Sequence, residues 1–130
     1  MFVRRKHRLH ERLEVNLASF KDDVFTNFHS LNISASGALV GSYSPINLVQ
    51  NELMHVCIDP WCEYFPKPII CVANVARVAK PYSKGTIKYI EQRGEDRDIA
   101  TLIGIRFLNV SVYDQQILDE FTGYEGFKSA

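Results

Sequence analysis

Apolar and polar side chains alternate with a period of two along most of the chain after residue 12. This alternation is typical of half-buried β-strands. It predicts strands over residues 13–17, 24–33, 38–40, 52–58, 69–80, 85–91 and 99–107. In the second of these segments, Leu31 and Ile33 are expected on one face. Turn-forming residues separate the segments, among them 21–23, 34–37 and 94–98.

One segment near the end has helical spacing. A helix over 111–122 would begin at Ser111, with Asp114 three residues later, and end at Gly123. Its apolar positions share one face, which we expect to pack on the core: Tyr113, Ile117, Leu118 and Phe121. Several short strands followed by one helix predict an antiparallel barrel or sandwich with the helix over it.

Composition indicates one ordinary globular domain. Of the 130 residues, 46% are hydrophobic and 23% are charged. We therefore treat 1–130 as a single domain with an arm at 1–12, a barrel at 13–108 and the helix at 111–122. The chain has three cysteines and no secretory signal, and we expect reduced thiols and a cytoplasmic protein without membrane insertion.

The net charge of zero hides an asymmetry. Residues 1–12 carry five Lys and Arg against one acid, while the other residues carry ten bases and fourteen acids. The arm is thus +4 and the remainder −4. The arm is a candidate anion-binding segment and, being polar and terminal, is expected to be mobile without a ligand.

The sequence does not favour an enzyme or a metal site. It has no nucleophile with a base beside it, no Walker-type phosphate loop and no dinucleotide fingerprint. The four histidines do not combine with a cysteine at zinc-ligand spacing. We expect Cys57, Cys62 and Cys71 to be buried structural thiols.

Two short motifs carry the main functional signal. Arg8-Leu9-His10-Glu11-Arg12 forms R-x-x-x-R directly before the first strand, and Asn32-Ile33-Ser34-Ala35-Ser36-Gly37 forms N-x-S-x-x-G at the end of the second. In this order the motifs resemble the signature of the PilZ domain family. The segment Gly104-Ile105-Arg106-Phe107-Leu108, followed by a helix, resembles the last strand and terminal helix of that family.

The resemblance implies a mainly β fold, a six-stranded antiparallel PilZ-type β-barrel with a C-terminal α-helix and a flexible basic N-terminal arm. It also implies binding of the bacterial second messenger cyclic di-GMP, with no other cofactor. Arg8 and Arg12 would clamp the ligand, while Asn32, Ser34 and Gly37 would line the barrel side of the site. Guanidinium groups suit both phosphates and guanine edges, and a glycine permits a tight turn and close approach of the ligand.

Arg4 and Arg8 also form an R-x-x-x-R. We place the motif at Arg8 and Arg12 because the second arginine of the family directly precedes the first strand. Arg4, Arg5 and His7 are then auxiliary ligand-binding residues.

The expected function is a cyclic di-GMP receptor that orders its arm on the ligand and signals through a partner protein. One alternative is a degenerate PilZ-like adaptor that binds only proteins, but the motif residues are intact. The other is a small nucleic-acid-binding β-barrel, which the net acidic body disfavours.

Overall fold

The structure, a computed structural model, describes residues 13–59, 67–79 and 99–120. Within these ranges the chain forms six strands and one helix. In chain order they are β1 (Glu14–Ser19), β2 (Phe25–Ile33), β3 (Gly37–Ser42), β4 (Leu53–Ile58), β5 (Ile69–Ala79), β6 (Thr101–Asn109) and α1 (Val112–Leu118).

The six strands close into one antiparallel barrel in the order β1-β2-β3-β6-β5-β4. β1 closes it by pairing with β2 on one side and β4 on the other. β6 inserts between β3 and β5. The barrel alternative is therefore confirmed over the sandwich, and no free strand edge interrupts this closed ring.

The interior is filled by the inward side chains of every strand, as the period of two predicts. Fully buried examples are Val15, Val56 and Val75. Removing a side chain of this size from water contributes about 1.5–3 kcal/mol. A second, smaller apolar cluster lies apart from this core and joins Leu31 to Leu39, Ile99 and Leu102.

The expectation that Leu31 and Ile33 share a face is wrong. Ile33 belongs to the main core and Leu31 to the second cluster. The β2–β3 register shifts between Ser30 and Asn32, so that Leu31 is an extra residue in β2. Such a β-bulge interrupts the alternation of side chains, which the sequence pattern did not indicate.

The helix begins as predicted but buries less of its face. Ser111 is the N-cap, and its side chain accepts a hydrogen bond from the Asp114 backbone N–H at 3.1 Å. Ile117 and Leu118 are buried, whereas Tyr113 is 54% exposed, so its assignment to the packed face is wrong. Only the last turn of this short helix reaches the core.

Other sequence expectations fall outside the described residues. These are the strand over 85–91, the turn over 94–98, the aromatic loop over 61–65, Phe121 and Gly123. In the ranges that the structure describes, no helix is long and apolar enough to cross a membrane.

Gly37 generates a stability prediction, because β6 passes against its α-carbon. A Cβ at Gly37 would collide with the Ile105 carbonyl oxygen, which is held in the sheet. We expect Gly37→Ala to lower the free energy of unfolding by about 1–3 kcal/mol, the usual cost of overpacking. Urea unfolding followed by circular dichroism measures this change.

Gly104→Ala is the matched control on the neighbouring strand. Of the residues that the structure describes, a Cβ there would meet the flexible side chain of Arg77 alone, at 3.4 Å. We expect this variant to unfold near the wild-type midpoint. Equal midpoints for the Gly37 and Gly104 variants would contradict the role of the β3–β6 contact.

Candidate functional site

The N-x-S-x-x-G motif forms the connection between β2 and β3. The Ser34 backbone N–H donates to the Gly37 carbonyl at 2.8 Å, which closes the turn. The Ser34 hydroxyl donates to the same carbonyl at 3.3 Å and accepts from the Ser36 N–H at 3.3 Å. Ser34 is fully buried, so its observed role is to hold the shape of the turn.

Asn32 faces outward because of the β2 bulge. Strict alternation from Phe28 and Ser30 would direct Asn32 into the core. The extra residue at Leu31 reverses this, and Asn32 lies opposite Leu39 of the second cluster. Directly opposed residues of paired strands share a face. Asn32 therefore lies on the outer face of the sheet, where the residue as a whole is 7% exposed and thus largely buried.

Gly37 pairs with Arg106 at the start of β3. We expected a glycine here for a tight turn and close approach of a ligand. The structure gives a different steric reason, since the space of its missing side chain is taken by the Ile105 carbonyl. The exposed side chain of Arg106 stands beside it on the next strand.

The basic arm meets the barrel at Leu13. The Leu13 N–H donates to the Ser30 hydroxyl at 2.9 Å, and the Ser30 N–H donates to the Leu13 carbonyl at 2.8 Å. Arg8, Arg12, Arg4, Arg5 and His7 lie outside the described residues. The structure thus brings the start of the barrel next to the strand that carries Asn32, and the arginine assignments stay predictions.

Arg77 is a cation near the motif that the sequence did not reveal. One row of paired residues runs from Asn32 through Leu39 and Gly104 to Arg77. The Arg77 Nε lies 3.5 Å from the position of a Cβ on Gly104, so its side chain extends across β6 toward β3. Among the described residues Arg77 has no ion-pair partner. A glycine within a strand does signal close approach, but the β5–β6 pairing is not readable from sequence.

The cysteines are weak candidates for chemistry. Burial raises the pKa of the Cys71 thiol to about 12, and burial also raises the pKa of Cys57. Both are therefore thiols at neutral pH, which are poor nucleophiles and metal ligands. Cys62 lies outside the described residues. In the ranges that the structure covers, no group of three or more His, Cys, Asp or Glu could hold a metal ion.

No protein-family model and no curated protein sequence matches the chain. Solved structures do match it. One is the inhibitor of motility MotI/DgrA of Bacillus subtilis, with a TM-score of 0.70 and 17% identity over 100% of this chain. This chain spans 54% of the MotI chain, about half its length.

Two isolated PilZ domains match over almost their full length. The PilZ domain of YcgR from Escherichia coli, solved with c-di-GMP, has a TM-score of 0.61 and 16% identity, covering 98% of this chain and 95% of its own. The PilZ domain of CeSA from a cellulose-synthesizing bacterium has a TM-score of 0.56 and 12% identity, covering 94% and 98%. The closed six-stranded barrel, the terminal helix and these matches together show that the chain has a PilZ-type fold.

Proposed function

We propose that this chain is a receptor for cyclic di-GMP, with Arg8, Arg12 and Asn32 as the ligand-contacting residues and Ser34 and Gly37 as the residues that shape the turn. The observation that carries the proposal is the pair of hydrogen bonds between Leu13 and Ser30. They join the arm to the barrel two residues from Asn32.

Covalent geometry limits how far the arginines can lie from the motif. The Arg12 α-carbon is 3.8 Å from that of Leu13, as in any trans peptide, and Asn32 lies about 7 Å along β2 from Ser30. Arg8 precedes Leu13 by five residues, a tether of at most about 18 Å. Both guanidinium groups are therefore within reach of the outer surface around Asn32.

The residue types suit the two halves of the ligand. Cyclic di-GMP carries two phosphates and two guanines, and a guanidinium pairs with a phosphate or with guanine O6 and N7 through two parallel hydrogen bonds. The Asn32 side chain carries amide N–H donors and a carbonyl acceptor, which are the kinds of group that pair with a guanine edge. Because the body outside the arm is net acidic, attraction for the anion is confined to these local cations.

Helix α1 offers a route from the ligand site to a partner protein. The Gln115 Nε2 donates to the Ala35 carbonyl at 3.2 Å, which ties the helix to the motif turn. Val112 and Tyr113 of the same helix are exposed. A ligand that reshapes the turn would thus move an exposed apolar surface, and the receptor would signal by presenting it to another cytoplasmic protein. One structural neighbour is an inhibitor of motility, and motility is one output to test.

The arginine assignment predicts a ranking of binding defects. Arg8→Ala and Arg12→Ala should each weaken cyclic di-GMP binding by about tenfold to a hundredfold, because a charge-assisted hydrogen bond is worth roughly 1.5–3 kcal/mol. Isothermal titration calorimetry measures the affinities. Circular dichroism should show an unchanged barrel, since the core cluster is formed by residues from Leu13 onward.

Arg4→Ala is the matched control, and it should bind nearly as wild type does. The opposite ranking would move the motif to Arg4 and Arg8. A single-stranded oligonucleotide titrated in parallel tests the nucleic-acid alternative. Wild-type protein that binds neither ligand would favour the protein-only adaptor and refute the receptor.

The position of Arg77 predicts a smaller effect. Its exposed guanidinium would add a peripheral charge contact to a ligand seated at Asn32. Arg77→Ala should weaken cyclic di-GMP binding by about two- to fivefold, the size of an exposed charge pair. Lys21→Ala removes the same charge in the β1–β2 turn and should leave the affinity unchanged. Equal losses in both variants would indicate only a general charge effect.

Ordering of the arm on the ligand predicts a change in proteolysis. Trypsin should cleave at the basic residues of 1–12 in the absence of cyclic di-GMP and much more slowly at saturation, because engaged guanidinium groups do not enter a protease site. Mass spectrometry identifies the cleaved bonds. The Arg8→Ala/Arg12→Ala double variant should gain no protection. Equal cleavage of the wild-type arm in both states would contradict the ordering mechanism.

A further inference from the structure

A groove of about 260 Å³ lies between two turns at the end of the barrel that is remote from the motif turn. One wall of this turn groove is formed by residues 19–21 and the other by residues 49–53. β2 runs from this end, at Phe25, toward the motif turn that follows Ile33, a length of about 26 Å for its residues. The turn groove is therefore separate from the ligand site proposed above.

The rim of the turn groove is apolar. Large hydrophobic side chains are exposed on both walls, Phe20 on one and Val49 and Leu53 on the other. Val24 and Phe25 are also exposed and extend this apolar surface from the first wall to the start of β2. Exposed apolar groups that cluster in this way mark surfaces to which another molecule binds.

Backbone hydrogen bonds and a ring contact hold both walls in place. The Phe20 N–H donates to the Leu53 carbonyl at 3.1 Å, and the Phe20 ring stacks on His55 with ring centroids 4.3 Å apart. On the other wall, the Asn51 N–H donates to the Val75 carbonyl at 2.7 Å. A groove that is already formed loses little conformational entropy when it binds a partner.

The turn groove is acidic. Its two turns, 20–24 and 49–52, hold one base and three acids, a net charge of −2, from Lys21, Asp22, Asp23 and Glu52. Such a charge attracts a basic segment and repels an anionic surface. It also repels the same face of a second copy of the chain, because both copies would bring a net charge of −2.

Glu52 contributes a fixed negative charge between the walls. The Ser19 hydroxyl donates to the Glu52 Oε2 at 2.5 Å, and the Val49 N–H donates to the Oε1 at 3.1 Å. These hydrogen bonds, that of Ser19 above all, hold the pKa of Glu52 below its usual value. Glu52 is thus ionised at neutral pH.

We propose that the turn groove docks a basic linear segment of a partner protein, with one large apolar side chain in the groove and neighbouring lysines or arginines facing Asp22 and Asp23. The groove is smaller than the roughly 300–1,000 Å³ of sites that enclose a whole small molecule, and it suits a single side chain of a peptide. The proposal uses neither the arginine motif nor helix α1 and holds with or without cyclic di-GMP.

The test is an NMR titration of the ¹⁵N-labelled full chain, without cyclic di-GMP, with a short peptide of blocked termini that carries one leucine between pairs of lysines. Amide shifts should cluster at Phe20, Val49 and Leu53, with a dissociation constant of about 0.1–1 mM that rises with salt. A peptide with alanine in place of leucine should bind about tenfold more weakly, because less apolar surface is buried. A peptide with glutamates in place of the lysines should not bind.

Two variants of the protein test the walls and the charge separately. Val49→Ser should weaken binding by about three- to tenfold, whereas Ile70→Ser, an exposed site toward the other end of the barrel, should not. The Asp22→Asn/Asp23→Asn double variant should weaken it by about two- to twentyfold, since asparagine keeps the hydrogen-bond acceptor of the turn but removes the charge. Glu14→Gln removes an acid at the other end of β1 and should leave the affinity unchanged.

Absence of shifts at the turn groove, or equal affinities for the lysine and glutamate peptides, would overturn the proposal. Two further outcomes would also overturn it by naming another occupant. Shifts at Phe20 and Leu53 that depend on protein concentration alone would assign the groove to a second copy, and shifts there on Arg4→Ala/Arg5→Ala would assign it to the basic arm of the chain itself. Unchanged amide signals of the core strands confirm that each variant is folded. Because peptide binding is read without cyclic di-GMP, failure of this site and failure of the receptor proposal remain distinguishable.

Discussion

The bulge at Leu31 decides which side of the barrel the candidate site occupies. Before the bulge, the side chains of Phe28 and Ser30 alternate regularly toward the core and are buried. After it, Ile33 takes the core position and Asn32 faces outward beside Leu39. Without the extra residue, a polar amide would enter an apolar interior and cost free energy unless it were hydrogen-bonded there. The same local irregularity thus keeps the amide out of the core and places Asn32 on the outer face of the sheet.

Ser30 links this bulge to the arm. Its hydroxyl and its backbone N–H both bond to Leu13, so the last regular residue of β2 is also the anchor of the first residue in the barrel. Leu13 and the motif are far apart in sequence but are joined through this one buried residue. A change in the bulge would therefore shift Leu13 and Asn32 together.

Sequence alone predicted the six described strands well because burial on one face imposes the period of two. β3 is the exception, since it is buried along its whole length. It predicted the helix N-terminus for an equally local reason, since Ser111 caps the first turn itself. Features that depend on distant partners were not predictable. Tyr113 lies four residues before Ile117 and so shares its helix face, yet only the last turn of the helix is buried against the barrel. Arg77 approaches Gly104 only because β6 lies between β3 and β5.

The motif sequence predicted where the turn lies but not what the side chains of the motif contact. The spacing located the β2–β3 turn, and the structure confirms that turn. It also shows that the Ser34 hydroxyl donates a hydrogen bond within the turn and that the absence of a side chain at Gly37 leaves space for the backbone of β6. A signature can therefore persist in part because the turn requires it, independently of any ligand. The motif residues therefore differ in what they say about binding. Asn32 lies on the outer face and is a candidate ligand contact, whereas Ser34 and Gly37 fix the shape of the turn beside it.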